Sequence, residues 1–183
     1  MSTLLSPFAT LSFPTLFSPK PRSERGEPVY SCALLFDEVA QKSKEYKAMQ
    51  AGCVDAAKAK FGPNVKLQNL VMPFKDAGEK ADKYQGYEPG VMVINPWSKQ
   101  KPGIVDAHRQ DVLLPEQVYA GQVVRAILSP FAWDVSGRQG VSFGLQHIQI
   151  VKHDAPRIDG RVSANKAFPD LPDQDELDDE IPF

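Results

Sequence analysis

Residues Gln122 to Val151 read Q-V-V-R-A-I-L-S-P-F-A-W-D-V-S-G-R-Q-G-V-S-F-G-L-Q-H-I-Q-I-V. Gln122 to Leu128 alternates, with Val124, Ala126 and Leu128 on one side and Arg125 on the other, which is the two-residue period of a half-buried strand. Gly140 to Val151 is a second, longer strand, and the S-P-F-A-W-D-V-S-G-R-Q-G that joins them reads as a hairpin. The second strand changes phase: Val141, Phe143 and Leu145 share one face, whereas Ile148 and Ile150 lie on the other. A bulge or a sheet corner near Gln146 or His147 absorbs such a switch, with Gly144 expected to ease it.

Working outward, Phe8 to Phe17 alternates briefly before Pro14 bends or ends it, which suits an edge strand. Lys20 to Gly26 is a polar, basic connection, and Val29 to Phe36 alternates again with Tyr30, Cys32, Leu34 and Phe36 on one side. Tyr46, Met49, Cys53, Val54, Ala57 and Phe61 then recur at helical spacing, with Asp37 or Ser43 to cap the start and Gly62-Pro63 to stop it. The opposite side of this helix carries Lys44, Glu45, Lys47, Asp55, Lys58 and Lys60, a solvated face over a sheet. Residues 64 to 90 lack periodicity, and so long a loop in a compact domain is expected to bind something. Val91 to Asn95 is a short buried strand, and Pro96 to Gly103 is a turn carrying Trp97 between strands. Five or so strands, one long helix and extended loops predict a mainly β fold, a five-stranded Greek-key barrel.

The chain has 183 residues, 42% of them hydrophobic and 9% aromatic. That supports one domain, expected over residues 1 to 165, and no apolar run approaches the roughly 20 residues of a membrane helix. The Ser-, Thr- and Phe-rich start, Met1 to Pro19, lacks a basic leader and is broken by prolines, so it is read as a first strand and not a targeting peptide. Cys32 and Cys53 have no metal-ligand spacing and are expected as buried free thiols in a reducing cytoplasm.

Charge is segregated. The last fourteen residues, D-L-P-D-Q-D-E-L-D-D-E-I-P-F, hold seven of the 23 acidic groups and none of the 21 basic ones, so the remainder is +5 and this end is −7. With little apolar surface to offset ordering, residues 166 to 183 are expected to be a disordered acidic tail. Its Ile181-Pro182-Phe183 tip pairs apolar groups with a terminal carboxylate, a form that suits docking into a partner's pocket beside an arginine or lysine.

The ending D-D-E-I-P-F resembles the acidic tip of bacterial single-stranded DNA-binding proteins, which recruits replication and repair enzymes. Independently, V-Y-A-G-Q-V-V-R-A (Val118 to Ala126) and G-V-S-F-G-L-Q-H-I-Q-I-V (Gly140 to Val151) resemble a family of bacteriophage single-stranded DNA-binding proteins. The resemblance implies an oligonucleotide-binding (OB) barrel that coats single strands during replication or recombination in the cytoplasm of the bacterial host. It implies a tail that recruits partner proteins through Asp178, Asp179, Glu180, Ile181, Pro182 and Phe183.

Sequence-independent binding of single strands needs a positive groove along the phosphates and aromatic faces for the bases. Basic and aromatic residues interleave at Trp97 with Lys99 and Lys101, at Phe131 and Trp133 with Arg125 and Arg138, and at Tyr84 and Tyr87 with Lys80 and Lys83. Lys20, Arg22 and Arg25 add charge on a loop. Core packing is the ordinary fate of aromatics in a small barrel, and Tyr30, Tyr46, Phe36 and Phe143 are assigned to it. No cofactor is expected. Asp106, His108 and Asp111 cluster in sequence but match no metal-ligand pattern, and no phosphate loop or nucleophile elbow is present, which argues against a metal-dependent nuclease. A strand-annealing or recombination-mediator protein is the alternative function.

Overall fold

The computed structural model describes residues 2–160 and 167–171. The acidic tip, Asp178 to Phe183, lies outside the described residues. Among the described residues nine strands make one sheet: β1 (Leu4–Leu5), β2 (Ala9–Pro21), β3 (Pro28–Phe36), β4 (Lys75–Asp76), β5 (Met92–Ile94), β6 (Trp97–Ser98), β7 (Gly103–Val105), β8 (Val123–Val135) and β9 (Arg138–Lys152). Pairing runs from β8 to β2, β3, β6 and β9, and β9 pairs β8 in turn. Only the β6–β9 step of that circuit is parallel.

The β8–β9 hairpin is the longest pairing, turning at Ser136 and Gly137 with φ of 53° and 81°. Two positive φ values in a two-residue loop match the right-handed twist of the strands. The phase change expected in β9 is present: Ile127 pairs His147 but Leu128 pairs Leu145, so Gln146 is the extra residue and Gln146 and His147 are both exposed. Gly144 stands outside this bulge, opposite Trp97 and Ser129.

β2 departs from expectation. Of the two roles expected of Pro14 it has the first, since β2 is irregular there and does not end. Nor is β2 an edge strand, because it pairs β3 on one side and β8 on the other. A register shift between Ser12 and Thr15 accommodates Phe13, at φ 44°, and Pro14. Proline cannot donate to the ladder, and a bulge removes the need.

Asp37 and Ser43 each cap a helix. Asp37 accepts from Ala40 N at 2.8 Å at the start of α1 (Glu38–Gln41), and Ser43 accepts from Tyr46 N at 3.2 Å at the start of α2 (Lys44–Phe61). Gly62, at φ 98°, ends α2. Tyr46, Met49, Cys53 and Ala57 face the main core with Leu11, Leu34, Phe36, Phe143 and Ile150, while Lys44, Lys47, Lys58 and Lys60 are exposed. A smaller core lies on the other side of β3, where Ala33 and Leu35 meet Ala77, Tyr87 and Val93. Both cysteines are buried and free.

Candidate nucleic-acid interface

Strand register builds a row across the sheet that no local sequence pattern contains. Thr15 pairs Ser31, Ser31 pairs Trp97, Trp97 pairs Gly144 and Gly144 pairs Ser129. On β8 and β9 Leu128, Pro130, Val141, Phe143 and Leu145 point inward, and alternation puts Ser129, Phe131, Ser142 and Gly144 on the outer face, where Ser129 is buried beneath Gln146, whose Nε2 donates to its Oγ at 3.1 Å. Apart from Trp97, the row is small: threonine, serine, glycine and serine form a shallow floor around one indole.

Three aromatics stand on this face. Trp97 meets Phe131 edge to face with centroids 5.7 Å apart. Trp133, two residues beyond Phe131 on β8, donates its indole N–H to Ser142 Oγ at 3.0 Å and lies over Gly140. All three are half-buried, fixed at their roots with ring surface left to solvent. The Arg22 guanidinium sits 5.8 Å from the Trp97 ring, where partial desolvation lowers its pKa without discharging it. Lys101 Nζ lies 5.2 Å from the Phe17 ring. Lys99 pairs with Glu27 at 2.9 Å, which ties the β6–β7 turn to the β2–β3 connection that carries Arg22 and Arg25. The result is an aromatic floor with cations along one edge, the two devices that hold single strands.

Of the residues expected from sequence, Trp97, Phe131, Trp133, Arg22, Lys99 and Lys101 therefore come together. Lys20 is exposed on β2 and Arg138 at the hairpin end beside Val135. Arg125 is on the same side of β8 as Phe131 but further along, bonded to Gln149 Oε1 at 2.7 Å and 6.0 Å from Phe8. Tyr84 belongs to a separate group with Phe13, centroids 4.8 Å apart. Tyr87 is a correction: it is 4% exposed, with its hydroxyl bonded to Ser12 Oγ at 3.2 Å, so it packs beneath Tyr84 and offers no ring to solvent. Sequence reasoning missed Phe17 and Phe13. Their signal was the succession of two rings and two cations along F-P-T-L-F-S-P-K-P-R, hidden where Pro14 was read as bending or ending the strand.

Asp106, His108 and Asp111 do not form a metal site. Asp106 Oδ1 accepts the backbone N–H of His108 at 2.8 Å and of Gln110 at 2.9 Å, closing a turn. Among the described residues no group of three His, Cys, Asp or Glu side chains is arranged to hold a metal ion.

The family model described as "Enterobacter phage Enc34, ssDNA-binding protein" matches residues 5–181. The chain belongs to that family. The single-stranded DNA-binding protein from bacteriophage Enc34, solved in complex with ssDNA, superposes with a TM-score of 0.72 at 21% identity, covering 84% of this chain and 88% of that one. A C-terminal truncation of the Enc34 protein gives 0.71 at 19% identity over 84% and 88%. The gp2.5 single-stranded DNA-binding protein of bacteriophage T7 gives 0.51 at 16% identity over 89% and 98%. No curated protein matches the chain. The Enc34 family model and these neighbours are all described as single-stranded DNA-binding proteins.

The Y-A-G-Q run that carried the likeness to this family has a structural task here. The Tyr119 hydroxyl is bonded to the carbonyls of His153 and Ala155. Ile158 N donates to Ala120 O at 3.1 Å, and a Cβ on Gly121 would stand 2.1 Å from Pro156 O. Gln122, fully buried, accepts from Tyr119 N and donates to Gln117 O. Tyr119, Ala120 and Gly121 clamp the segment that follows β9, and Gln122 braces the turn that carries them.

Proposed function

We propose that this chain binds single-stranded DNA without sequence preference along the outer face of the sheet, coating strands during phage replication or recombination inside the bacterial host. The observation that carries the reading is the contact chain Arg22, Trp97, Phe131: a cation, then two rings, on a floor of small residues that lets a backbone approach. The circuit of pairings, taken with β5 and β6 as one strand, follows the first, second, third, fifth and fourth strands and back to the first, which supports a Greek-key OB barrel. Residues 1 to 165 form the binding domain and 166 to 183 the tail.

At −7, the tail imitates a run of phosphates and competes for the groove, while Asp178 to Phe183 recruit partner enzymes. Each phosphate contact contributes about −0.7 to the slope of log affinity against log salt for single strands, and self-competition flattens it. The test is a titration of oligo(dT) with duplex DNA and RNA as competitors, for the full chain and for one lacking Asp170 to Phe183. Single-strand preference with tighter binding by the truncated chain at low salt is the expected result. Failure of the truncated chain to bind oligo(dT) in dilute buffer overturns the function, and unchanged affinity overturns the competition. Phe183→Ala is expected to retain DNA affinity while losing partner capture.

A further inference from the structure

We infer that the nucleic-acid path continues along β2 to a separate base-binding pocket built around Phe13, one that receives a single unpaired nucleotide. The inference rests on the single-strand reading and extends it beyond the Trp97 groove. A cavity of about 620 Å³ opens between Phe13, Tyr84, Tyr119 and the segment after β9, a size ordinary for a site that holds one small ligand. Lys83 and Arg157 line it, with Asp159 as the acidic member.

Phe13 is the reason to expect a ligand. It has φ 44°, a left-handed backbone that is costly for a bulky residue, and yet its ring is 53% exposed. Core packing would compensate such strain, but little of this ring is in the core. What the strain achieves is to lift the ring off β2 beside Tyr84, itself 38% exposed, with Tyr87 buried beneath both as a pedestal 5.4 Å from Tyr84 and 6.3 Å from Phe13. Across the cavity the Arg157 guanidinium stacks over Tyr119 at 4.5 Å. Its Nε and one terminal nitrogen bond Asp159 at 3.3 and 3.0 Å, which takes two of the five donors and fixes the fork. A base on Phe13 and Tyr84 with its phosphate toward Lys83 and Arg157 fits this arrangement.

The pocket is continuous with the groove. A second depression, about 350 Å³, shares Pro14 and Val118 with it and runs past Phe17 and Lys20. Phe17 is the ring under Lys101, which leads to Arg22 and Trp97.

The test is to titrate wild type, Phe13→Gly and Tyr84→Ala with oligo(dT) of increasing length, reading the fluorescence of Trp97 and Trp133, and to record each Tm. Glycine accepts a positive φ, so Phe13→Gly is expected to keep or raise Tm. Oligonucleotides that span only the Trp97 groove should bind both variants as they bind wild type, and longer ones should bind about tenfold more weakly, the loss of one stacked base. Equal affinity of variants and wild type at every length overturns the pocket. So does a loss that is the same for short and long strands, or a fall in Tm with affinity unchanged, which would make Phe13 a packing residue. If wild type binds no oligonucleotide of any length, the single-strand reading itself falls.

Discussion

The Trp133 ring lies so close to the backbone of Gly140 that a Cβ there would stand 2.4 Å from the indole Cζ2. The two residues face each other across the β8–β9 pairing, and the absent side chain is what lets the indole lie on the sheet and reach Ser142. Gly140→Ala is expected to displace the ring and weaken single-strand affinity about tenfold, the scale of one lost stacking platform. The new methyl also meets Val71 O at 2.6 Å, so a stability loss of about 1–3 kcal/mol should accompany it. In a double-mutant cycle by fluorescence anisotropy, adding Gly140→Ala to Trp133→Ala should cost little further affinity. Full additivity would show that Gly140 does not act through the ring.

Lys99 reaches the groove border already paired. Its ammonium is 2.9 Å from Glu27, both side chains are mostly exposed, and the pairing holds the Glu27 carboxyl below its ordinary pKa of 4.5. An exposed pair of this kind is screened by solvent and contributes little, so releasing the lysine costs the fold little. Glu27→Gln should therefore leave Tm nearly unchanged and tighten oligo(dT) binding about two- to fivefold at low salt. The salt slope should steepen by about 0.7 as one more phosphate contact becomes available. A weaker-binding variant would mean that Glu27 positions Lys99 for DNA and does not compete for it.

What the sequence made legible was what neighbouring residues determine. The β8–β9 hairpin, the slip at Gln146, the two helix caps and the buried stripe of α2 all follow from periods of two and 3.6 read within one element. The face proposed to bind DNA is built differently. Thr15, Ser31, Trp97, Gly144 and Ser129 come from five strands, and their alignment is a property of register, which no single strand encodes. Phe13 and Phe17 were hidden for a second reason: proline reads as a terminator, whereas here a bulge carries β2 through Pro14 and on to Pro21. Tyr87 was misplaced because an aromatic in an irregular loop offers no pattern to tell a pedestal from a platform.

Asp106 gives a pH prediction. Its carboxylate accepts two backbone N–H groups, Gln110's above all, and these hold its pKa below the ordinary 3.8. A depressed carboxyl stabilises the fold fully above its unfolded pKa, and that contribution fades as pH falls through the folded value. Asp106→Asn keeps an oxygen acceptor but cannot ionise. The difference in Tm between wild type and variant should be constant above about pH 5 and shrink below it. A difference that does not change with pH would mean that the charge adds nothing to the turn.

Gly121 is the tightest point of the clamp after β9. At φ 113°, with Pro156 O only 2.1 Å from where a Cβ would be, it tolerates no side chain, and Arg157 Cα at 3.1 Å closes the other exit. Overpacking and a strained φ together predict that Gly121→Ala costs about 2–4 kcal/mol, provided the segment stays docked. The cheaper response is for residues 153–160 to lift away, since their hold is a short set of contacts: the Tyr119 hydroxyl, the Ile158 N–H, the Arg157 stack and the Ile158 side chain against the smaller core. The variant is therefore expected to lose less Tm than full overpacking demands while cleavage by a nonspecific protease within 153–160 accelerates strongly. Short oligo(dT) on the Trp97 groove should bind it as wild type, because that face takes nothing from the clamp. If Tm falls by the whole overpacking cost with no new cleavage, the segment is an integral part of the core and not a strap laid upon it.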